Sequence, residues 1–448
     1  MLLSTSDAAS VLGRKLTFVQ PLWPIPPSAG PSRPPPSRAS HPVPQGTAAD
    51  TGCTYLVRPI VRNFEKRTRT MLDLLDDVEE GIDLARDAIP RTARRLPLSV
   101  GILSVATATP EHKLSQTDAF ARVNRVTSVF ARLSGIYTNS GIETRYSCVP
   151  PDWCQKHHGW EERMAEYQRH ALDLLEKVAT KALASAGLAP HDIDVIVTNS
   201  TTGLAVPSID ALLINRLEFR ETVTRLPIFG FGCSGGAAGL ARATQLAQSM
   251  PGANVLFLTV DLCSLCVRAN DHSLTNFVAA ALFGDGAAAV VLRSSDRENY
   301  GSRTRKRAPR IVATGERLWS KTEHYLGLNI KDDGFGMVLS PALPTLLREN
   351  FGPAVAQFLG HHGLSLTDID GFLIHAGGRK ILETAEDILG TRRDQMAHAW
   401  SVMRDYGNMS SATVLFVLER ALAAGASGRH LLAAFGFGFS AHFAIAEL

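Results

Sequence analysis

The sequence predicts a layered α/β protein assembled from two copies of one helix–strand unit, and three observations carry that reading. Gly187-Leu188-Ala189-Pro190-His191-Asp192-Ile193-Asp194 returns as Gly363-Leu364-Ser365-Leu366-Thr367-Asp368-Ile369-Asp370, 176 residues later. At the same offset, Gly252 before the apolar run 255–260 meets Gly428 before the run 431–435, so the match holds without a gap over about 65 residues. Helical periodicity also alternates with continuous apolar strands, the pattern of a sheet covered on both faces. Two unrelated domains with similar punctuation are the alternative.

In chain order, residues 1–95 stand apart as a low-complexity extension. Proline and serine crowd 21–44, which favours extended, unpacked chain. The first 64 residues hold only two acids, Asp7 and Asp50, a weak resemblance to an organellar targeting segment, with a disordered extension or a wrongly chosen upstream start codon as the alternatives. Leucine and isoleucine spacing predicts one amphipathic helix over 68–88. The compact part divides into halves, 96–298 and 299–448. In the first half a helix over 166–186 leads through a Gly-Leu turn to a buried strand at 194–199. A second helix, over 237–248, then precedes the strand near 255–260. The second half repeats this order with a helix over 344–361, a strand at 371–375, a helix over 413–424 and a strand near 431–435. The apolar stretch 277–292 is broken by Gly284-Asp285-Gly286, read as a turn, and falls short of the roughly 20 uninterrupted residues a membrane span needs.

Composition excludes several function classes. A net charge of +3 on 448 residues makes no whole-chain case for nucleic acid. Six cysteines in so long a chain are no disulfide framework, which points to a reducing, cytoplasmic setting. Cys263 and Cys266 form a C-x-x-C pair, but no second pair stands at zinc spacing, so both read as buried structural thiols. No His/Asp/Glu cluster has metal-ligand spacing, and the phosphate-loop and dinucleotide glycine patterns are absent.

The repeat also places the reactive residues. Cys233, moved by the offset, falls on Met409 beside Asn408, so both stand in the turn that opens the equivalent helix of each half. His375 ends the strand whose counterpart ends at Asn199. Strand ends and helix starts are where α/β proteins build sites. Glycines flank Cys233 in Phe231-Gly232-Cys233-Ser234-Gly235-Gly236, and a thiol at a helix N-terminus gains thiolate character from the free N–H groups. A neighbouring histidine would lower its pKa further and form an ion pair. Taken singly, each residue has a plainer reading: a buried structural cysteine, a core histidine, a turn-capping asparagine.

From about residue 97 to 448 the chain resembles the type III polyketide synthases, the chalcone-synthase-like branch of the thiolase superfamily, and its bacterial-type members most. The resemblance rests on Gly232-Cys233-Ser234-Gly235-Gly236, Leu282-Phe283-Gly284-Asp285-Gly286-Ala287, His375-Ala376-Gly377-Gly378 and Tyr406-Gly407-Asn408-Met409-Ser410-Ser411-Ala412. It implies a thiolase-like αβαβα pseudo-dimer. It also implies an iterative acyltransferase: Cys233 takes an acyl group from an acyl-CoA, and His375 with Asn408 activates malonyl-CoA by decarboxylation. No metal or redox cofactor is then needed. Phe283 matches the family's gatekeeping phenylalanine, Met337 lines the same passage, and Thr201, Thr202 and Cys266 fall at cavity positions. Val206 matches the residue that reaches across a homodimer. Arg132 matches one basic CoA contact; Gly135 and Asn139 replace two others, with Arg379 and Lys380 as candidate substitutes and a solvated turn as their alternative.

The family's Gly-Phe-Gly-Pro-Gly loop reads here Ala434-Phe435-Gly436-Phe437-Gly438. Phe437 replaces a proline, which bears on chain length and ring closure rather than on activity. A medium or long fatty acyl starter giving a pyrone or resorcinol is the expectation. A single-round 3-oxoacyl synthase acting on an acyl carrier protein is the nearest alternative, and a cysteine thioester hydrolase the next.

Overall fold

A computed structural model describes residues 99–126, 132–294 and 308–448. The extension over 1–95, its expected helix over 68–88 and the boundary at 298 lie outside the described residues. All described residues belong to one compact unit, Ala93–Leu448.

Strands buried on both faces build its centre. The first half supplies β1 (Val100–Ala108), a small ribbon of β2 (His112–Ser115) and β3 (Thr144–Ser147), then β4 (Val195–Ser200), β5 (Thr224–Phe229), β6 (Asn254–Leu262) and β7 (Asp285–Ser294). The second half supplies β8 (Arg310–Leu318), the hairpin β9 (Leu326–Lys331) and β10 (Gly334–Leu339), then β11 (Gly371–Ile374), β12 (Arg429–Gly436) and β13 (Ser440–Glu447). Spatial order is β1-β7-β6-β4-β5 in one half and β8-β13-β12-β11 in the other. The pairing senses match as well: β4 with β6 and β11 with β12 are parallel, and the pairs β6–β7, β7–β1, β12–β13 and β13–β8 are antiparallel. Among the described residues two pairs, Val100 with Ile311 and Gly101 with Arg310, join the halves into one hydrogen-bonded sheet.

The helices are α1 (Gln116–Val126), α2 (Gly135–Thr138), α3 (Trp160–Ala186), α4 (Ile209–Leu217), α5 (Gly235–Ser249), α6 (Leu274–Leu282), α7 (Leu343–His361), α8 (Arg379–Leu389), α9 (Ala397–Tyr406) and α10 (Thr413–Ala423). α3 covers the outer face of the first sheet, and α7 packs Phe351 and Phe358 on Phe435 and Phe443 of the second. α5 and α10 lie between the sheets and touch one another. The result is the expected five-layer thiolase-like order. Each fully buried phenylalanine in this core contributes about 3 kcal/mol or less by burial.

Local chemistry sets the helix limits. α3 starts six residues before the periodicity suggests, because Glu161 and Glu162 suit a first helical turn. It ends at Gly187, whose φ of 67° is the left-handed closure glycine permits. The 176-residue offset survives from β4 to β6 and then breaks. Residues 263–284, with a 3-10 turn and α6, separate β6 from β7, whereas three residues, 437–439, join β12 to β13. Gly284-Asp285-Gly286 is not a free turn: Asp285 and Gly286 open β7, and the buried Asp285 carboxylate accepts the N–H groups of Cys148 (2.7 Å) and Ser264 (2.8 Å). A buried carboxylate needs such donors, which ties the segment to the strand. Among the described residues no helix is long and apolar enough to cross a membrane.

Candidate active site

The duplicated turns deliver two of the three expected groups to one place. A 3-10 turn over Gly232–Ser234 carries Cys233 into α5, and an equivalent turn over Ser410–Ala412 leads from Asn408 into α10. The two turns approach closely because Gly236 has no side chain; a Cβ there would stand 2.1 Å from the Ser411 carbonyl oxygen. Cys233 Sγ lies 3.8 Å from Asn408 Nδ2 and 3.9 Å from Oδ1. Asn408 is held on both sides: Oδ1 accepts the Ser410 N–H (2.8 Å), and Nδ2 donates to the Gly377 carbonyl (3.2 Å) in the loop after His375. Asn408 caps neither the 3-10 turn nor α10; its side chain closes a local turn and still stands in the site.

His375 stands directly after β11, with its backbone N–H on Ala433 O at 2.8 Å. Among the described residues neither ring nitrogen has a hydrogen-bond partner, and the residue is 1% exposed. Cys233, His375 and Asn408 line one cavity, otherwise walled by leucine, isoleucine and phenylalanine with Gly377 beside the histidine. Burial pushes the Cys233 thiol up to about 12, opposed by hydrogen bonds from Ser410 and Asn408, and pulls His375 down to about 3. This corrects the expectation of a resting thiolate–imidazolium pair. The apolar walls outweigh the helix N-terminus, no hydrogen bond joins Cys233 to His375, and both groups rest neutral.

That state has a stability signature. The unfolded chain binds a proton at this imidazole near pH 6.5, whereas the folded chain refuses it until about pH 3. Stability therefore rises with pH across that window and is lost on acidification. His375→Gln is expected to flatten the fall in urea midpoint between pH 7 and pH 4.5. An unchanged acid sensitivity would show that other groups govern it.

A second cavity shares Cys233 and Phe283 with the first. Thr201, Thr202, Cys266, Met337 and Phe437 all line it. Thr201 Oγ1 accepts the Gly232 N–H at 3.1 Å, fixing the cysteine turn to this wall. Phe437 donates its backbone N–H to Phe231 O at 3.1 Å, a bond that proline could not make. Its ring fills the space that a side chain at Gly232 would take, 2.5 Å from that Cβ position. Phe283 is the common wall of the two cavities.

The remaining expected residues stand elsewhere. Val206 is 99% exposed. Arg132, Arg379 and Lys380 are exposed and line neither cavity, and Arg379 is paired with Glu383 at 2.7 Å. Two residues escaped sequence reasoning. Cys263, read as structural, lines the second cavity. Asp261 is fully buried at the end of β6, and its carboxylate accepts the N–H groups of Thr201 (2.8 Å), Thr202 (3.2 Å) and Ser411 (3.0 Å). It binds the cavity wall of one half to the asparagine turn of the other. An acid inside the apolar run 255–262 was the available signal.

Known proteins resemble this chain along most of its length. Residues 91–296 match the model for the N-terminal domain of chalcone and stilbene synthases, and residues 310–441 match the C-terminal domain. The chain is 37% identical over 322 residues to the 1,3,6,8-tetrahydroxynaphthalene synthase of Streptomyces peucetius subsp. caesius, spanning 71% of this chain and 84% of that one. It is 34% identical over 351 residues to a putative chalcone synthase of Bacillus subtilis, spanning 76% and 96%. Among solved structures, the bacterial type III polyketide synthase that makes 1,3,6,8-tetrahydroxynaphthalene in Streptomyces coelicolor A3(2) superposes with a TM-score of 0.72 at 30% identity, over 78% of this chain and 99% of that one.

Proposed function

Since this chain belongs to the chalcone and stilbene synthase family of type III polyketide synthases, acyltransferases that work by Claisen condensation, we propose that it extends an acyl-CoA starter with malonyl-CoA in repeated rounds, using Cys233, His375 and Asn408. One observation carries this reading. Groups from two distant stretches converge on a single buried cavity, and a second cavity opens from the same thiol.

The chemistry starts from the neutral resting state. A lone charge is penalised by these walls, but a proton moved from Cys233 to His375 creates two opposite charges together, and their attraction offsets the burial cost. The thiolate attacks the acyl-CoA carbonyl; the C–S bond to CoA breaks, and CoA leaves with the proton. Malonyl-CoA then enters. Donors from Asn408 Nδ2 and His375 meet its thioester oxygen and stabilise the enolate formed as carbon dioxide departs. The enolate carbon attacks the acyl thioester, releases Cys233 and returns the lengthened chain to CoA for reloading. Decarboxylation drives the cycle, so neither metal nor redox cofactor is required. The second cavity favours repeated extension over a single round, because it supplies apolar volume beside the thiol.

A homodimer suits the surface. β5 is an edge strand whose open backbone invites a second strand, and Phe229 at its end is 52% exposed. A second copy would also cover Val206. A cytoplasmic location accords with the CoA substrates. The apolar walls suit a medium or long fatty acyl starter giving a pyrone or resorcinol.

The test is product profiling with malonyl-CoA and a panel of acyl-CoAs, with malonyl-CoA alone as one arm. Multiply extended pyrones or resorcinols are expected. One condensation with strict dependence on an acyl carrier protein would favour the single-round synthase. Thioester hydrolysis with no carbon dioxide from labelled malonyl-CoA would favour the hydrolase.

A further inference from the structure

The geometry points to Arg145 as a positioning residue that ties the Phe283 gate to Asn408, so that gate and amide keep one fixed separation. The inference rests on the reading above. Arg145 stands on β3 and is 5% exposed, with no carboxylate partner among the described residues. Its guanidinium donates to the carbonyls of Ala280 (2.6 Å) and Phe283 (3.3 Å) and to Gln116 Oε1 (2.6 Å). Gln116 Nε2 in turn donates to the Ala281 carbonyl at 3.0 Å. The end of α6 would otherwise hold several orphan carbonyls, and a cation there is favoured by the helix dipole. This explains how a buried arginine persists without an acid beside it; burial lowers it to about 10, so it stays charged at neutral pH.

A backbone crossing at the end of α6 links the clamp to the site. Asn408 N–H donates to Leu282 O, and Gly284 N–H donates to Asn408 O, both at 2.9 Å, making an isolated parallel bridge between Phe283 and Asn408. Arg145 lies against this crossing. A Cβ on Gly284 would come within 3.2 Å of the Arg145 Cβ, and one on Gly407 within 3.7 Å. The same ribbon is stapled to the asparagine segment by Thr144 Oγ1 on Asp405 O at 2.6 Å. One planar fork thus spans the helix end and the gate, a task that the point charge of lysine performs only in part.

The experiment compares Arg145→Met and Arg145→Lys with the unaltered chain in two assays, acyl loading of Cys233 by mass spectrometry and release of labelled carbon dioxide from malonyl-CoA. Displacing a positioned group by about 1 Å costs up to about 100-fold. Arg145→Met is therefore expected to lose decarboxylation at least about tenfold more than it loses loading, and Arg145→Lys to recover part of that gap. Equal losses in both assays, or no loss in either, would overturn the proposal; if Arg145→Met does not fold, Arg145→Lys alone decides by the same ratio. An unaltered chain that releases no labelled carbon dioxide would bring down the functional reading itself, and this one with it.

Discussion

Cys233→Ala is expected to abolish acyl uptake and lower condensation by roughly three orders of magnitude or more, the scale seen when a covalent nucleophile is removed. The thiol is buried, so the loss of one sulfur leaves a small cavity and a modest fall in stability, about 1 kcal/mol. A folded, inactive variant is thus the expected product. Intact-mass measurement after incubation with a fatty acyl-CoA should show a single acyl adduct on the unaltered chain and none on the variant. Peptide mapping adds the decisive detail, because Cys263 and Cys266 line the same second cavity. An acyl group found on either of them would place the nucleophile wrongly.

Asn408→Ala is the second large effect, and it should divide the reaction. Loading needs the thiol, whereas decarboxylation needs a donor for the enolate oxygen; removing one such donor costs about 100- to 1000-fold. The variant should still acquire an acyl group on Cys233 while releasing labelled carbon dioxide from malonyl-CoA at a small fraction of the normal rate. The alanine also strands the Ser410 N–H and the Gly377 carbonyl that the amide now holds, so some thermal destabilisation should accompany the loss. Decarboxylation at the normal rate in Asn408→Ala would remove the asparagine from the mechanism.

Much of the site is legible in the chain alone. The cysteine and asparagine turns are neighbours in space because they are equivalents in a duplicated unit, and duplication leaves a constant offset in sequence. That legibility fades where the offset breaks. Residues 263–284 have no counterpart between β12 and β13, and this insertion carries Cys263 and Cys266, which line the second cavity, and Phe283, the wall that both cavities share. Periodicity describes α6 as apolar, but it does not say what α6 separates.

Sequence by itself determined the two-fold plan, the strand and helix order, and the turns that present Cys233, His375 and Asn408, since periodicity, glycine closures and repeat spacing are local or translational properties of the chain. Tertiary structure alone decided the charge state of the thiol and imidazole, the bridging role of Asp261, and the clamp by Arg145. Each of these depends on desolvation or on partners brought from distant stretches of the chain, and such proximities are set by packing rather than by neighbouring sequence.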